Sequence, residues 1–460
     1  PHFVFYVQEI VTKMCQKGAF EPKADVPCDK VLFQGNLNIT TTLDLELQRI
    51  GEGIVEEVIS ANEARFNGHN GAAVAMDPRT GQILTMVGSR DFFRDDIQGQ
   101  NNIATSLRSH GSAMKPVAYL TGFKQGWVPS TIVTDAPLVL DDRQVDNWNF
   151  SYLGNITVRK AIAESVNVAA VRTAMEVGID DFRQTAHELG ITDLRRDDCG
   201  PTITLGSCEV KLVDMVHLYA TIANNGIMKG MPSVEDLPDG FRPVDPVSVL
   251  EIEDSFGDVL YEYEAPEQEE VIRPAYAYMI TDILSNDAVH WSNLTLPFPA
   301  AAKTGTSEDF KDNVVLGFTS GLAVGVWMGN ADGTPMVDGT FSSAGAGPMW
   351  KEFMQAAFDH LGLEAQEFEA PFDAVLTSCG GRQEVFAKDE IPNKASACAA
   401  PGPVVPIFPG PPAPTPVPTT APTPSPTPAP TPTPTLAPTP TPTPAPVEEP
   451  DGAGAELIPP

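Results

Sequence analysis

Two apolar runs flank the turn residues DPRTG in the segment GAAVAMDPRTGQILTMVGS, residues 71–89. Turn-forming residues between two apolar runs predict a β-hairpin. The segment NVVLGFTSGLAVGVWMGN, residues 313–330, repeats this pattern around the turn residues TSG. Because the two hairpins lie far apart in the sequence, they predict one sheet that is assembled from distant segments.

Helical periodicity dominates the sequence around these hairpins. Apolar residues recur on one face of residues 42–66, and residues 210–226 form a second helical stretch with Gly226 as its candidate C-cap. Strand segments lie at both ends of the globular region, with helical segments between them. This arrangement predicts a mixed α/β domain of the α+β type.

The C-terminal end has a different composition. More than half of the chain's 44 prolines lie after residue 400, mostly in alternation with Thr or Ala. Such repeats cannot build a hydrophobic core and favour extended polyproline II, so residues 400–460 are predicted to be a disordered Pro/Thr-rich tail that acts as a spacer.

Acidic side chains outnumber basic ones, with 61 Asp and Glu against 29 Lys and Arg and a net charge of −32. Because phosphate contacts need clustered cations, this charge argues against DNA or RNA as a partner. The sequence contains no run of about 18 apolar residues, so membrane attachment is expected only through sequence that precedes Pro1.

The cysteines fall into three pairs that are close in sequence: Cys15 and Cys28, Cys199 and Cys208, and Cys379 and Cys398. Local pairs of this kind suit disulfides in an oxidising compartment, while buried free thiols remain the alternative. The sequence has no C-x-x-C pair and no histidine at zinc-finger spacing, so we expect neither a metal site nor a cofactor.

Candidate chemistry begins in RSHGSAMKPVAYL, residues 108–120, where Ser112 and Lys115 lie three residues apart. On a helix this spacing brings both side chains to one face. Pro116 locates the helix start, because proline is well tolerated only in the first turn. Ser112 is therefore predicted at a helix N-terminus, where free N–H groups and the helix dipole favour a developing oxyanion. The ordinary alternative is a capping serine beside a surface lysine.

A serine nucleophile needs a base, and a lysine base must be neutral, which requires burial or a neighbouring cation. The segment AKTGTSEDFKD, residues 302–312, offers such a cation at Lys303. Strand alternation places Thr304 and Thr306 on one face as a candidate carboxylate site, and Gly305 would let a substrate backbone lie close to the strand. An edge strand with a solvated lysine is the alternative.

The segment AESVNVAAV supplies a hydroxyl and an amide at Ser165 and Asn167. Two such groups can relay a proton and hold a substrate amide. The same S-x-N pattern recurs at Ser60 and Asn62, so the pattern alone identifies no site. Ser60 belongs to the first helical segment, where an exposed polar face explains it.

The motifs S-x-x-K, S-x-N and K-T-G in this order, with the segments around them, resemble the transpeptidase domain of class A penicillin-binding proteins. The resemblance runs from about residue 36 to residue 357. It implies the penicillin-binding and β-lactamase type of fold, an antiparallel sheet flanked by helices. It also implies a linker from a missing upstream domain at residues 1–37 and a transpeptidase domain at residues 38–370. The cysteine-containing C-terminal segment at residues 371–399 and the tail at residues 400–460 lie outside the resemblance.

The resemblance implies peptidoglycan cross-linking by a serine D-Ala-D-Ala transpeptidase. Ser112 would attack the D-Ala-D-Ala bond of a stem peptide, and Lys115 would take its proton. Ser165, with Lys303 nearby, would pass a proton to the leaving D-Ala, while Asn167 would hold the peptide amide. An amine of a second stem peptide would then take the acyl group, whereas penicillins would stall at the acyl-enzyme.

Substrate binding would fall to Thr304 and Thr306, which would hold the terminal carboxylate beside Gly305. The N–H groups of Ser112 and Thr306 would form the oxyanion hole. The implied partners are peptidoglycan stem peptides and β-lactams. The implied location is the outer face of the cytoplasmic membrane, with a glycosyltransferase domain in the full-length protein.

Other functions share parts of this site. A D,D-carboxypeptidase would pass the acyl group to water instead of an amine. A β-lactamase would also need a group that activates water, and Glu164 beside Ser165 reads more simply as a helix-surface residue. From a different class, a non-catalytic β-lactam sensor or cell-wall binding module would bind without turnover.

Overall fold

The structure is a computed structural model that describes residues 1–22, 26–195, 198–379 and 382–391. The predicted tail at residues 400–460 and Cys398 lie outside the described residues. Within these ranges, no helix has the length and apolar character needed to cross a membrane.

Helices and short strands alternate along the described chain. The helices are α1 His2–Gln16, α2 Val31–Gln34, α3 Leu45–Phe66, α4 Lys115–Lys124, α5 Val158–Ala163, α6 Asn167–Val177, α7 Ile179–Glu188, α8 Leu212–Ala223, α9 Pro274–Ile283, α10 Val289–Trp291 and α11 Ala346–His360. The strands are β1 Asn38–Thr41, β2 Asn70–Asp77, β3 Gln82–Val87, β4 Leu107–Arg108, β5 Ile132–Asp135, β6 Leu138–Leu140, β7 Arg143–Val145, β8 Gly154–Thr157, β9 Val210–Lys211, β10 Ile227–Pro232, β11 Val244–Asp245, β12 Val249–Glu253, β13 Val259–Glu262, β14 Glu267–Glu270, β15 Ala301–Thr306, β16 Asp312–Phe318, β17 Ala323–Gly329, β18 Ala374–Cys379 and β19 Arg382–Ala387.

An antiparallel sheet in the order β15-β16-β17-β2-β3 lies at the centre of the fold. Both predicted hairpins are confirmed, as β2–β3 and β16–β17. Strand β17 pairs with β2, with Trp327 opposite Ala72, so two distant hairpins form one sheet as the sequence predicts. Strand β15, which carries Lys303, forms one edge of this sheet next to β16.

Helices cover both faces of the central sheet and create two hydrophobic cores. On one face α3 and α11 bury Leu47 and Phe353 together with Val326. On the other face α8 buries Val216 together with Trp327. Every residue of β16 and β17 is buried, which explains why their sequences are apolar apart from Asp312 and Asn313 at the start of β16. The prediction of an antiparallel sheet flanked by helices is therefore confirmed.

The two predicted helices are present, with one error. Residues 42–66 contain α3, as predicted. Helix α8 is shorter than predicted, because β9 precedes it and its last residue is Ala223. The C-cap of α8 is Asn224, so the prediction of Gly226 as C-cap is wrong. Asn225 and Gly226 follow it in left-handed conformations, with φ values of 51° and 79°. A Cβ at Gly226 would also lie 2.1 Å from the carbonyl oxygen of Ile272.

Residues 1–37 contain α1, α2 and a disulfide between Cys15 and Cys28. Val11 and Met14 of α1 are fully buried in the same core as α8. This N-terminal helix therefore packs as part of the folded domain. Disulfides join Cys15 to Cys28 and Cys199 to Cys208, where the sequence left disulfides and free thiols as alternatives.

Candidate active site

Ser112 lies in a 3-10 turn, Gly111–Met114, that runs directly into α4. Pro116 is the second residue of α4, where its missing N–H leaves no helical bond unmade. This is the helix start that the sequence predicts. Gly111 has a φ of 51°, and a Cβ there would lie 2.5 Å from the Thr306 nitrogen, so the turn requires glycine.

Ser165 lies just after α5 with a φ of 55°, in the left-handed region. Its N–H bonds to the Ile162 oxygen at 3.1 Å, and the Val166 N–H bonds to the Ala161 oxygen at 3.0 Å. This is the bonding pattern of a helix end that usually carries glycine. A side chain in this conformation costs about 1–2 kcal/mol. The retained strain points to a functional role for the Ser165 hydroxyl.

The three sequence motifs meet at the Ser165 hydroxyl. Lys303 Nζ donates to Ser165 Oγ at 2.8 Å. Lys115 Nζ lies 3.3 Å from Ser165 Oγ, and it donates to the Ser165 carbonyl oxygen and to Asn167 Oδ1, both at 2.6 Å. Two amines, a hydroxyl and an amide from three distant segments therefore form one hydrogen-bonded cluster.

The predicted meeting of Ser112 with Lys115 is only partly realised. Both residues lie at the same helix start, but no hydrogen bond between Ser112 Oγ and Lys115 Nζ is among those of the described residues. A fully buried amine must find acceptors, and the oxygens of Ser165 and Asn167 provide them. Ser112 is half-buried and faces the cleft described below.

Burial controls the charge of both lysines. Lys115 is 0% and Lys303 2% exposed. Burial, and next the neighbouring Lys303, hold the pKa of Lys115 well below its ordinary value, while Asp135 acts in the opposite direction. Burial lowers the pKa of Lys303 to about 7. The lowered pKa favours the neutral form of Lys115, and a neutral amine can accept a proton.

Strand β15 presents alternate residues to the cleft and to the interior. Thr304 and Thr306 line the cleft, whereas Lys303 and Gly305 are buried beneath it. A Cβ at Gly305 would lie 2.2 Å from the His110 carbonyl oxygen. The expectation that Gly305 makes room for a substrate backbone is therefore wrong. Its missing side chain instead lets β15 pack against the turn that carries the serine.

Two polar residues that sequence reasoning missed hold these segments in place. Tyr219 of α8 donates to the Ala113 carbonyl oxygen at 2.8 Å. Ser342 Oγ lies 2.7 Å from Thr306 Oγ1 and also donates to the Gly305 carbonyl oxygen. Tyr219 lies within an apolar helical run and Ser342 within a run of small residues, so neither carries a local signal of its role.

The cluster opens onto a cleft of 1860 Å³. Its lining includes the predicted site residues Ser112, Ser165, Asn167, Thr304 and Thr306. On its rim Trp148 packs edge-on against Trp291 and Phe341, with ring centroids 6.0 and 6.2 Å apart. Ordinary small-molecule pockets hold about 300–1,000 Å³, so this cleft has room for extended peptides. Within the described ranges, no group of three or more His, Cys, Asp or Glu is arranged to hold a metal ion.

A disulfide-closed loop borders the serine turn. Cys199 and Cys208 line the cleft and close the loop between them. Ser109 Oγ donates to the Gly206 carbonyl oxygen at 2.9 Å, which joins this loop to the chain ahead of Ser112. The disulfide thus restrains one wall of the cleft.

The fold and the cluster belong to the transpeptidase class of cell-wall proteins. The family described as "Penicillin binding protein transpeptidase domain" matches residues 71–331, which is more than half of the chain. The chain therefore belongs to this family, and the resemblance found in the sequence is confirmed.

Similar proteins carry the penicillin-binding name. Penicillin-binding protein 2D of Bacillus subtilis is 29% identical over 340 residues, which cover 70% of this chain and 45% of that protein. Penicillin-binding protein 1A of Aquifex aeolicus is 27% identical over 328 residues, which cover 69% of this chain and 42% of that protein. The chain thus spans less than half the length of these two relatives.

Solved structures share the fold. The structure of the PonA1 protein from Mycobacterium tuberculosis in complex with penicillin V has a TM-score of 0.67 at 22% identity, and the match covers 84% of this chain and 98% of that one. Penicillin-Binding Protein 1A from Haemophilus influenzae has a TM-score of 0.60 at 20% identity, with 70% of this chain and 54% of that one covered.

Proposed function

We propose that this domain is a peptidoglycan D,D-transpeptidase that works through an acyl-enzyme on Ser112. The observation that carries the proposal is the meeting of Lys115, Ser165 and Lys303 beside a serine at a helix N-terminus. A buried lysine whose pKa is lowered and a neighbouring hydroxyl supply the base and the proton relay that acyl transfer needs.

In the first step, Ser112 Oγ attacks the carbonyl carbon of the D-Ala-D-Ala peptide bond, and its proton passes to Lys115 Nζ. For this transfer Lys115 exchanges one of its bonds to Ser165 or Asn167 for a bond to Ser112. The N–H groups of Ser112 and Thr306 would hold the oxyanion. In support, the Thr306 nitrogen lies beside Gly111, the residue before Ser112, where a Cβ would approach it to 2.5 Å.

In the second step, the C–N bond breaks and the leaving D-Ala takes a proton from Ser165 Oγ. That hydroxyl is replenished through its contacts with Lys115 and Lys303. Asn167 holds the donor peptide amide, and the hydroxyls of Thr304 and Thr306 bind the terminal carboxylate from the cleft side of β15. An amine of a second stem peptide then attacks the acyl carbon, the bond between that carbon and Ser112 Oγ breaks, and the serine oxygen takes up the proton that the amine loses. This step completes the cross-link and restores Ser112.

β-Lactams are proposed partners because they present a strained amide to the same serine. Two solved structures of this fold support the proposal: PonA1 in complex with penicillin V, and penicillin-binding protein A from M. tuberculosis as an imipenem acyl-enzyme complex, the latter with a TM-score of 0.56 at 20% identity. A location outside the cytoplasm agrees with the two disulfides, and a glycosyltransferase domain in the full-length protein is part of the same proposal.

The fate of the acyl-enzyme separates this proposal from its alternatives. Glu164 pairs with Lys160 at 3.0 Å on α5, which gives it an ordinary surface role and leaves hydrolysis without an evident base at that position. A D,D-carboxypeptidase would release the acyl group to water, and a sensor would keep a β-lactam without processing any peptide.

The test is incubation with a stem-peptide donor and an amine acceptor, followed by mass spectrometry of the products. The proposal expects the donor–acceptor amide, with release of D-Ala, from the wild type and none from Ser112→Ala. Hydrolysed donor alone would identify a carboxypeptidase. Unchanged donor together with lasting penicillin labelling would identify a sensor, and either result would overturn the proposal.

A further inference from the structure

The N-terminus of α6 is capped by a residue from outside the helix. The residue before α6, Val166, has no polar side chain to cap it. Asn147 supplies the missing acceptor, because its Oδ1 takes the N–H of Asn167 at 2.9 Å and the N–H of Val168 at 3.1 Å. The first N–H groups of a helix need such partners, so the start of α6 depends on a side chain 20 residues upstream.

The orientation of the Asn147 amide is fixed by its other end. Its Nδ2 donates to Asp135 Oδ1 and to the Ser151 carbonyl oxygen, both at 2.8 Å. The second carboxylate oxygen of Asp135 accepts the N–H of Leu153 at 2.7 Å. Asp135 is 0% and Asn147 5% exposed, so these bonds are shielded from water. The Asn147 amide uses both its oxygen and its nitrogen here, and an aspartate would lose the two donated bonds.

The same segment holds the side chain of Asn167. Asn167 Nδ2 donates to the carbonyl oxygen of Asp146, the residue before Asn147, at 2.9 Å. The other end of that amide, Oδ1, accepts from Lys115 Nζ at 2.6 Å. Backbone and side chain of residues 146–147 therefore fix both the helix start and the amide that receives the Lys115 amine.

We propose that Asp135 and Asn147 form a positioning pair that fixes the S-x-N segment and, through Asn167, the amine of Lys115 for acylation of Ser112. The inference rests on the function proposed above and extends it to two residues that the motifs do not include. Neither residue touches the reacting atoms, so their effect passes through Asn167 and Lys115.

The charge of Asp135 acts on the pKa of Lys115, an effect that a purely structural role of the pair would not produce. Asp135 faces Lys115 and the phenol of Tyr119 from α4, and Arg172 from α6. Lys115 in turn faces Lys303 from β15, which lowers its pKa, and Asp135 from β5, which raises it. Removal of the Asp135 charge therefore lowers the pKa of Lys115 further, and the amine stays neutral to a lower pH.

The experiment measures the second-order rate constant of acylation by a fluorescent penicillin across pH. We expect Asn147→Ala to lower this constant about 10- to 100-fold, as a small misplacement of reacting groups does. The matched control is Asn149→Ala on the same loop, where the exposed amide only accepts the N–H of Ser151 and the rate should stay within about twofold. In Asp135→Asn the acid limb of the pH–rate profile should move to lower pH.

A wild-type rate in Asn147→Ala, or an acid limb that does not move in Asp135→Asn, would overturn the inference. Thermal unfolding of each variant shows whether it folds, and if Asn147→Ala does not, the pH profile of Asp135→Asn decides alone. If the penicillin does not label the wild type, or labels Ser112→Ala equally, the proposed function itself is wrong. If the penicillin labels Ser112 alone, the proposed function stands, and the variants then test only the role of Asp135 and Asn147.

Discussion

Replacing Lys303 by methionine should stabilise the folded domain at acidic and neutral pH while it removes the chemistry. Burial lowers the pKa of Lys303 from 10.5 to about 7. One pKa unit corresponds to 1.36 kcal/mol, so burial of the ammonium costs the fold about 5 kcal/mol at pH 7 and below. Methionine avoids this cost but leaves Ser165 Oγ and the Thr304 carbonyl oxygen without a donor, which costs about 1–3 kcal/mol. The expected net gain at pH 6 is about 2–4 kcal/mol.

The pH dependence gives the sign of this effect. Between about pH 7 and pH 10.5 the unfolded lysine binds a proton that the folded one does not, so wild-type stability rises with pH across this window. Below pH 7 the cost of burial is fully present. The advantage of Lys303→Met should therefore fall by about 3 kcal/mol between pH 6 and pH 9.5.

The assay is urea unfolding followed by tryptophan fluorescence at both pH values, combined with penicillin labelling at pH 7. Lys311→Met is the matched control, because the Lys311 side chain is 44% exposed and its removal should change stability by less than about 0.5 kcal/mol. Labelling of Lys303→Met should fall by at least about 100-fold. Equal or lower stability than wild type at pH 6, or an advantage that does not change with pH, would refute the assignment of a desolvated amine at Lys303.

Two glycine-related changes test the backbone of the site. Ser165→Gly and Ser165→Ala both remove the hydroxyl that accepts from Lys303, so labelling should fall in both. Because only glycine accepts a φ of 55° without strain, Ser165→Gly should be more stable than Ser165→Ala by about 1 kcal/mol, and equal stability of the two variants would contradict the strain. Gly305→Ala should destabilise the domain by about 1–3 kcal/mol and slow labelling about tenfold or more, since the new methyl meets the His110 carbonyl oxygen. Gly53→Ala, which meets nothing within 4 Å, is its control, and equal effects of the two alanines would contradict the packing.

The sheet could be predicted because its strands carry strong local signals. Residues 71–89 and 313–330 combine apolar runs with turn residues, and both fold as hairpins of the central sheet. The end of α8 was predicted wrongly because glycine is the usual left-handed residue after a helix, whereas Asn225 adopts that conformation one residue before Gly226. The close approach of the Ile272 carbonyl oxygen to Gly226 is a distant contact that no local pattern reveals.

The motifs predict the reacting side chains, but they do not predict the residues that hold those side chains in place. Ser165 and Lys303 carry recognisable patterns, and their hydroxyl and amine meet in the structure. The role first given to Gly305 was wrong because the sequence does not show that the serine turn packs on that face of β15. Asp135 and Asn147 act through bonds to residues 12 to 21 positions away, so no motif contains them.

Peptide mapping by mass spectrometry after brief exposure to penicillin tests the central claim most directly, because it asks which hydroxyl the cluster activates. The side chains of Lys115, Ser165 and Lys303 converge beside the 3-10 turn that precedes α4. This arrangement predicts one covalent adduct, on the peptide that contains Ser112, and no adduct in Ser112→Ala. An adduct on another residue, or an intact Ser112 peptide in folded wild-type protein, would contradict it.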